Sequence, residues 1–165
     1  MPPGTPWTRE RYRRFLRGTL AVVAALEPAI LELLADVAPI ESLSRAGRLR
    51  ADLRALGDTN ADPPLAAPVL DDRAAALGAA YVLEGSMLGG QHVAQVLARE
   101  LSLADAAMTY LRPPGVHIGP RWKAFAAALD AFGARATAAE WSAAEAAAAA
   151  TFEIFAAAFR REGLI

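Results

Sequence analysis

Tyr81-Val-Leu-Glu-Gly-Ser-Met-Leu-Gly-Gly-Gln91 places three glycines inside what otherwise reads as one long helix, from about Asp72 to Leu101. Each interior glycine costs about 1 kcal/mol relative to alanine, so a run of them implies a use for bare backbone. Gly85 and Gly89 are four apart and His92 is three further on, a spacing that puts all three on one helix face. Missing side chains there admit either a neighbouring helix or a planar cofactor. Which of the two occupies that face decides the function.

On both sides of this stretch the chain reads as helix. Asp71 and Asp72 suit its start, as caps and as anions at the positive end of a helix dipole, and it should end near Leu103. Upstream, Thr8 is a reasonable N-cap for a long first helix whose apolar face is Tyr12, Leu16, Val23, Leu26, Ile30 and Leu33. Pro28 inside it predicts a kink or a restart, and Pro39 ends the segment. Glu41 to Leu56 is predicted as a second helix, with Leu43, Ala46, Leu49, Leu53 and Leu56 on one face and Gly57 as C-terminal cap. Its Arg45, Arg48, Arg50 and Arg54 read as a solvated face or an interaction patch. Asp58-Thr-Asn-Ala-Asp-Pro-Pro is a loop by its turn chemistry.

Leu111 to Pro120 holds Pro113, Pro114, Gly115, Gly119 and Pro120 and reads as an irregular connection. Two closing helices follow, one with a stripe of Trp122, Phe125, Leu129 and Phe132, the other with Trp141, Ala148, Phe152, Phe155 and Phe159. No stretch alternates with β-branched residues. The expectation is a single all-α domain over residues 1–165, a bundle of about five or six helices.

The 165 residues carry 17 Lys plus Arg against 18 Asp plus Glu, a formal charge of -1 that offers no reason to expect nucleic acid or an anionic membrane as partner. Cysteine is absent, which excludes a disulfide framework and any thiolate site for zinc, iron-sulfur or nucleophilic chemistry. The first residues have neither the basic nor the apolar region of a signal peptide, so a cytoplasmic location is expected. The most apolar tract, Ala143 to Phe159, is mostly alanine and is interrupted by Glu145 and Glu153; no membrane span is expected.

Gly85-Ser-Met-Leu-Gly-Gly invites comparison with phosphate loops, but Gln91 stands where a lysine is needed and a helix precedes it where a strand is required. The whole stretch from Tyr81 to Gln91 instead resembles the distal-helix signature of haem oxygenases, especially the short bacterial type found beside bacteriophytochromes. Arg11-Tyr-Arg-Arg-Phe-Leu and Leu26-Glu-Pro within Thr8 to Ile30, Gly119-Pro-Arg-Trp-Lys-Ala-Phe, and Ala150-Thr-Phe-Glu resemble further helices of that family. In order and spacing the resemblance covers nearly the whole chain.

The resemblance implies a helical fold that sandwiches haem between a proximal helix and the glycine-rich distal helix. Haem would be both cofactor and substrate, opened to biliverdin with release of iron and carbon monoxide on electrons from a separate reductase. Gly85, Ser86 and Gly89 then take the catalytic positions, with Ser86 where animal members have an aspartate that organises water. Gly85, Gly89, Gly90, Lys123 and Phe152 are the implied haem contacts, Lys123 through a propionate. Beside these stand plainer readings: Lys123 as a solvated lysine, Phe152 and Phe155 as core aromatics.

Family members carry a proximal histidine on a helix ahead of the region matching Thr8 to Ile30, and the expectation is a chain without that ligand, either because the sequence as given starts late or as a natural variant. His92 and His117 are the substitutes, against plainer readings of an imidazole at the bundle edge and one exposed in a loop. A second function stays open, a non-catalytic binding or regulatory module of the same fold, as a homodimer or with a partner in a phytochrome pathway.

Overall fold

The computed structural model describes residues 6–37, 39–40, 44–60, 65–66 and 68–165. Among them are five α-helices, α1 (Arg9–Leu33), α2 (Arg45–Ala55), α3 (Arg73–Leu101), α4 (Ile118–Gly133) and α5 (Ala138–Arg161), one 3-10 turn at Asp105–Ala107, and no strand.

Local chemistry sets where the helices begin and stop. The Thr8 hydroxyl accepts from the Arg11 N–H at 3.0 Å and the Asp72 carboxylate from the Ala75 N–H at 2.8 Å, each satisfying a donor that the first turn leaves open. Ser44 does the same for α2 at Gly47. Gly57, with φ 76°, takes the left-handed turn after α2 without the steric penalty a side chain would bring. Glu41 and Leu43, expected in the second helix, lie outside the described residues.

Three expectations are corrected. The first helix does not restart at Pro28, an exposed residue inside it, and it stops at Leu33, ahead of Pro39. α4 begins at Ile118, inside the segment expected to be irregular, because Gly119 and Pro120 fall in its first turn, where a missing N–H breaks no intrahelical bond. On α5 the buried residues are Ala144, Ala147, Thr151 and Ala158, while Trp141 and Phe152 of the expected apolar stripe are exposed.

That reversal on α5 has a packing cause. α3 and α5 form the most extensive helix pair of the molecule, and they approach so closely at Gly78 that an added Cβ would stand 1.9 Å from the Ala144 carbonyl oxygen. Only small side chains fit such an approach, so the alanines turn inward and the aromatics are pushed to the flanks. By length and composition α5 reaches the range of a membrane-crossing helix. It nevertheless carries Glu140, Glu145 and Glu153 on exposed positions and is seated against α3 and α1.

Candidate functional site

Pushing the aromatics aside opens a cleft of about 640 Å³ between α1, α3 and α5. Phe15 of α1 stacks on Phe159 of α5 with ring centroids 5.7 Å apart, and Phe155 packs on Phe159 at 5.8 Å, building one apolar wall. Tyr81 of α3 and Trp122 of α4, 5.8 Å apart, form the opposite edge. Between them lies the bare flank of α3 at Gly85 and Gly89, with Gly90, Val93, Tyr110 and Leu111 closing the end. Phe152 lines the mouth and is 58% exposed.

Two explanations for glycine in α3 thus belong to different glycines. Close helix packing is the use of Gly78. A Cβ on Gly89 would meet nothing within 4 Å, and one on Gly85 would make only ordinary contact with Trp122 at 3.6 Å, so both open onto the cleft. Gly90 is tighter, its added Cβ lying 3.2 Å from Leu111.

The polar atoms of the cleft are hydroxyls. Ser86 donates to the Leu83 carbonyl at 2.8 Å, and the buried Tyr110 lines the same cleft. Burial pushes the Tyr110 phenol up from its ordinary value. Tyr110 is held from behind, because the fully buried Asp52 carboxylate of α2 accepts from the N–H groups of Tyr110 and Thr109 and from the Thr109 hydroxyl.

Directly beneath the glycine segment is a buried ionic cluster that sequence reasoning missed. Glu84 receives a forked pair of hydrogen bonds from Arg121, at 2.8 and 2.7 Å, and is also bonded by Arg45. Glu27 accepts from the N–H groups of Arg45 and Ala46 at 2.7 and 3.0 Å, capping α2 from α1, and pairs with the Arg45 guanidinium. Arg121 also donates to the Pro39 carbonyl. Arg45, expected among solvated arginines, is only 1% exposed, because two carboxylates replace its water. A signal was available: Glu27 follows Val23, and Glu84 follows Ala80, by four residues, so both carboxylates fall in the core register.

The remaining sequence candidates stand away from the cleft. His92 is exposed and does not line it; the α3 wall advances in steps of four, through Gly85 and Gly89 to Val93, which turns His92 aside. His117 is exposed at the N-cap of α4 and makes no side-chain cap. Lys123 is exposed beside Trp122 and is not part of the cleft wall.

Over residues 5–161 the sequence matches the family model described as Heme oxygenase. The chain belongs to the haem oxygenase family. Among curated proteins no sequence matches it. The group that a haem oxygenase cleft must hold is a flat macrocycle with an apolar body, and the residues present fit it: aromatic walls, one flank without side chains, and open space at Gly89 that a Cβ would enter. Among the described residues of the wall, the donors toward a metal are the hydroxyls of Thr19, Tyr81, Ser86 and Tyr110, and there is no imidazole.

Proposed function

We propose that this haem oxygenase-family chain binds haem in the α1–α3–α5 cleft and supports its oxidative opening to biliverdin, with release of iron and carbon monoxide on electrons from a separate reductase. The observation that carries this is the bare Gly85–Gly89 flank of α3 opening onto an aromatic-walled cleft, with no backbone of another helix packed against it. When bound, haem supplies the iron at which dioxygen is activated. The protein's own residues do the rest. Phe15, Phe155 and Phe159 hold the macrocycle by dispersion and exclude water on one side. Gly85 and Gly89 let it approach the α3 backbone, and the Ser86 and Tyr110 hydroxyls offer hydrogen bonding beside that flank. We place this chemistry in the cytoplasm of a bacterium, where biliverdin serves a phytochrome.

The test is a hemin titration of the purified chain followed by visible absorption, then turnover with a reductase and dioxygen. A saturable Soret band and formation of biliverdin are expected. Because His92 and His117 lie outside the cleft, His92→Ala and His117→Ala should leave the titration unchanged within about twofold. A folded chain that shows no Soret complex would overturn the proposal.

A non-catalytic module of the same fold is favoured by one observation, the apolar rim formed by Tyr81, Leu88 and Phe152, all more than 40% exposed. Sedimentation separates the two, since covering that rim with a second copy produces a dimer whether or not hemin is present.

A further inference from the structure

The end wall of the cleft is made by Tyr110 and Leu111, and neither belongs to a helix. They stand in the irregular connection between the 3-10 turn and α4, where backbone N–H groups must find partners outside a regular ladder. α2 supplies them. One oxygen of the Asp52 carboxylate accepts from the Thr109 N–H at 2.8 Å and the Thr109 hydroxyl at 2.6 Å, and the other accepts from the Tyr110 N–H at 2.8 Å. Three donors converging on two oxygens call for a group that only accepts, which a carboxylate is and an amide is not. Asp52 is 0% exposed, so bulk water does not compete for these bonds. α1 holds the same connection at a second point, where the buried Tyr12 phenol donates to the Ala107 carbonyl at 3.0 Å.

The consequence reaches the glycine flank. A Cβ added to Gly90 would stand 3.2 Å from Leu111, so the connection lies close against α3 there, whereas one on Gly89 would meet nothing. The free length of the bare flank therefore ends where the connection begins. A flat ligand lying along Gly85 and Gly89 meets Tyr110 and Leu111 end-on, and how far it slides along α3 depends on where α2 holds them. Asp52 itself is not part of the cleft wall.

We propose that Asp52 is a positioning residue: by fixing the backbone at Thr109 and Tyr110 it sets the end wall of the cleft, and through it the seat of the bound macrocycle along α3. This rests on the haem-binding reading of the cleft, and the test has one arm without haem and one with it.

Asp52→Asn keeps the shape of the side chain and exchanges one acceptor oxygen for an NH2 group, which cannot accept from an N–H. The control is Ile30→Ala, a buried position on α1 outside the cleft wall that costs stability and leaves the anchor in place. Without haem, amide hydrogen exchange at Thr109 and Tyr110 is compared with the unfolding constant from urea. In Asp52→Asn the exchange should rise at least about tenfold more than the unfolding constant, and in Ile30→Ala no more than it. Exchange that merely follows unfolding in both variants would refute the anchor. Thr109→Val removes only the hydroxyl donor, should show the same local effect at smaller size, and carries both arms where Asp52→Asn does not fold.

With hemin, the dissociation constant should rise at least about fivefold in Asp52→Asn and stay within about twofold of the parent in Ile30→Ala. The proton resonances of the haem methyl groups, spread by the ferric iron, report the seat directly and should be displaced or doubled in Asp52→Asn alone. An unchanged methyl pattern in a variant whose connection has loosened overturns the seating role by itself. A parent chain that forms no Soret complex overturns the haem reading and the seating role with it, while hydrogen exchange still decides whether Asp52 holds the connection.

Discussion

Gly78 and Gly89 share a helix and are kept as glycine by opposite circumstances. At Gly78 a Cβ would collide with the backbone of α5, 1.9 Å from the Ala144 oxygen, and neither helix has a flexible side chain to yield. Gly78→Ala is therefore expected to lower stability by about 3 kcal/mol or more, through separation of α3 from α5. At Gly89 the added Cβ meets nothing, so Gly89→Ala should gain up to about 1 kcal/mol from helix propensity. Gly89→Leu, which sends a full side chain into the cleft, should weaken hemin binding at least about tenfold with the fold intact. Urea unfolding and a hemin titration check the three variants, and equal stability changes at positions 78 and 89 would contradict the assignment. The spacing of Gly85 and Gly89 was legible in the sequence as a bare helix flank. That the close contact belongs to Gly78 was not, because nothing local to Gly78 reveals that the Ala144 backbone arrives there.

Among the elements, α5 shows most clearly what a local pattern encodes. Its start is written in two residues: the Thr137 hydroxyl accepts from the Glu140 N–H at 3.2 Å, and the Glu140 carboxylate accepts from the Thr137 N–H at 2.8 Å. The hydrogen bonds from the Thr137 backbone and then its side chain hold the Glu140 carboxyl below its ordinary value of 4.5. A depressed acid stabilises the fold when ionised, so this contribution is present above 4.5 and is lost as pH falls through the lower folded value. The difference in urea midpoint between the parent and Glu140→Ala should be present at neutral pH and shrink below that range. A difference that persists unchanged in acid would mean the carboxylate is not the group responsible. The facing of α5 is another matter. Aromatic spacing pointed to Trp141 and Phe152 as core, yet in a helix this rich in alanine the inward face is chosen by how closely α3 approaches, and close approach selects alanine.

At the scale of the whole molecule, Glu27, Arg45, Glu84 and Arg121 tie α1, α2, α3 and α4 together at one buried point, two carboxylates against two guanidiniums. Such a cluster is tolerated only complete, since removing one charge leaves its partners in the core without compensation. Glu84→Gln and Arg45→Met are each expected to cost about 3–5 kcal/mol in chemical unfolding. A loss below about 1 kcal/mol would show that water reaches the charges. The cluster also explains why the segment that bears Gly85 and Ser86 can be short of side chains and still hold its place: the residue just before it is bonded to two neighbouring helices. The sequence by itself determined that the described residues are all helix, where α1 and α3 begin and where α2 and α3 end, and that α3 carries a bare flank, because caps, breakers and periodicity act within a turn or two of the residues that encode them. Only the tertiary structure decided that Arg45 is inside, that Gly78 bears the helix contact, and that Phe15, Tyr110 and Phe159 meet around one cleft. These depend on pairs far apart in the chain, 39 residues for Arg45 and Glu84 and 58 for Tyr110 and Asp52, whose encounter is set by the packing of all five helices at once.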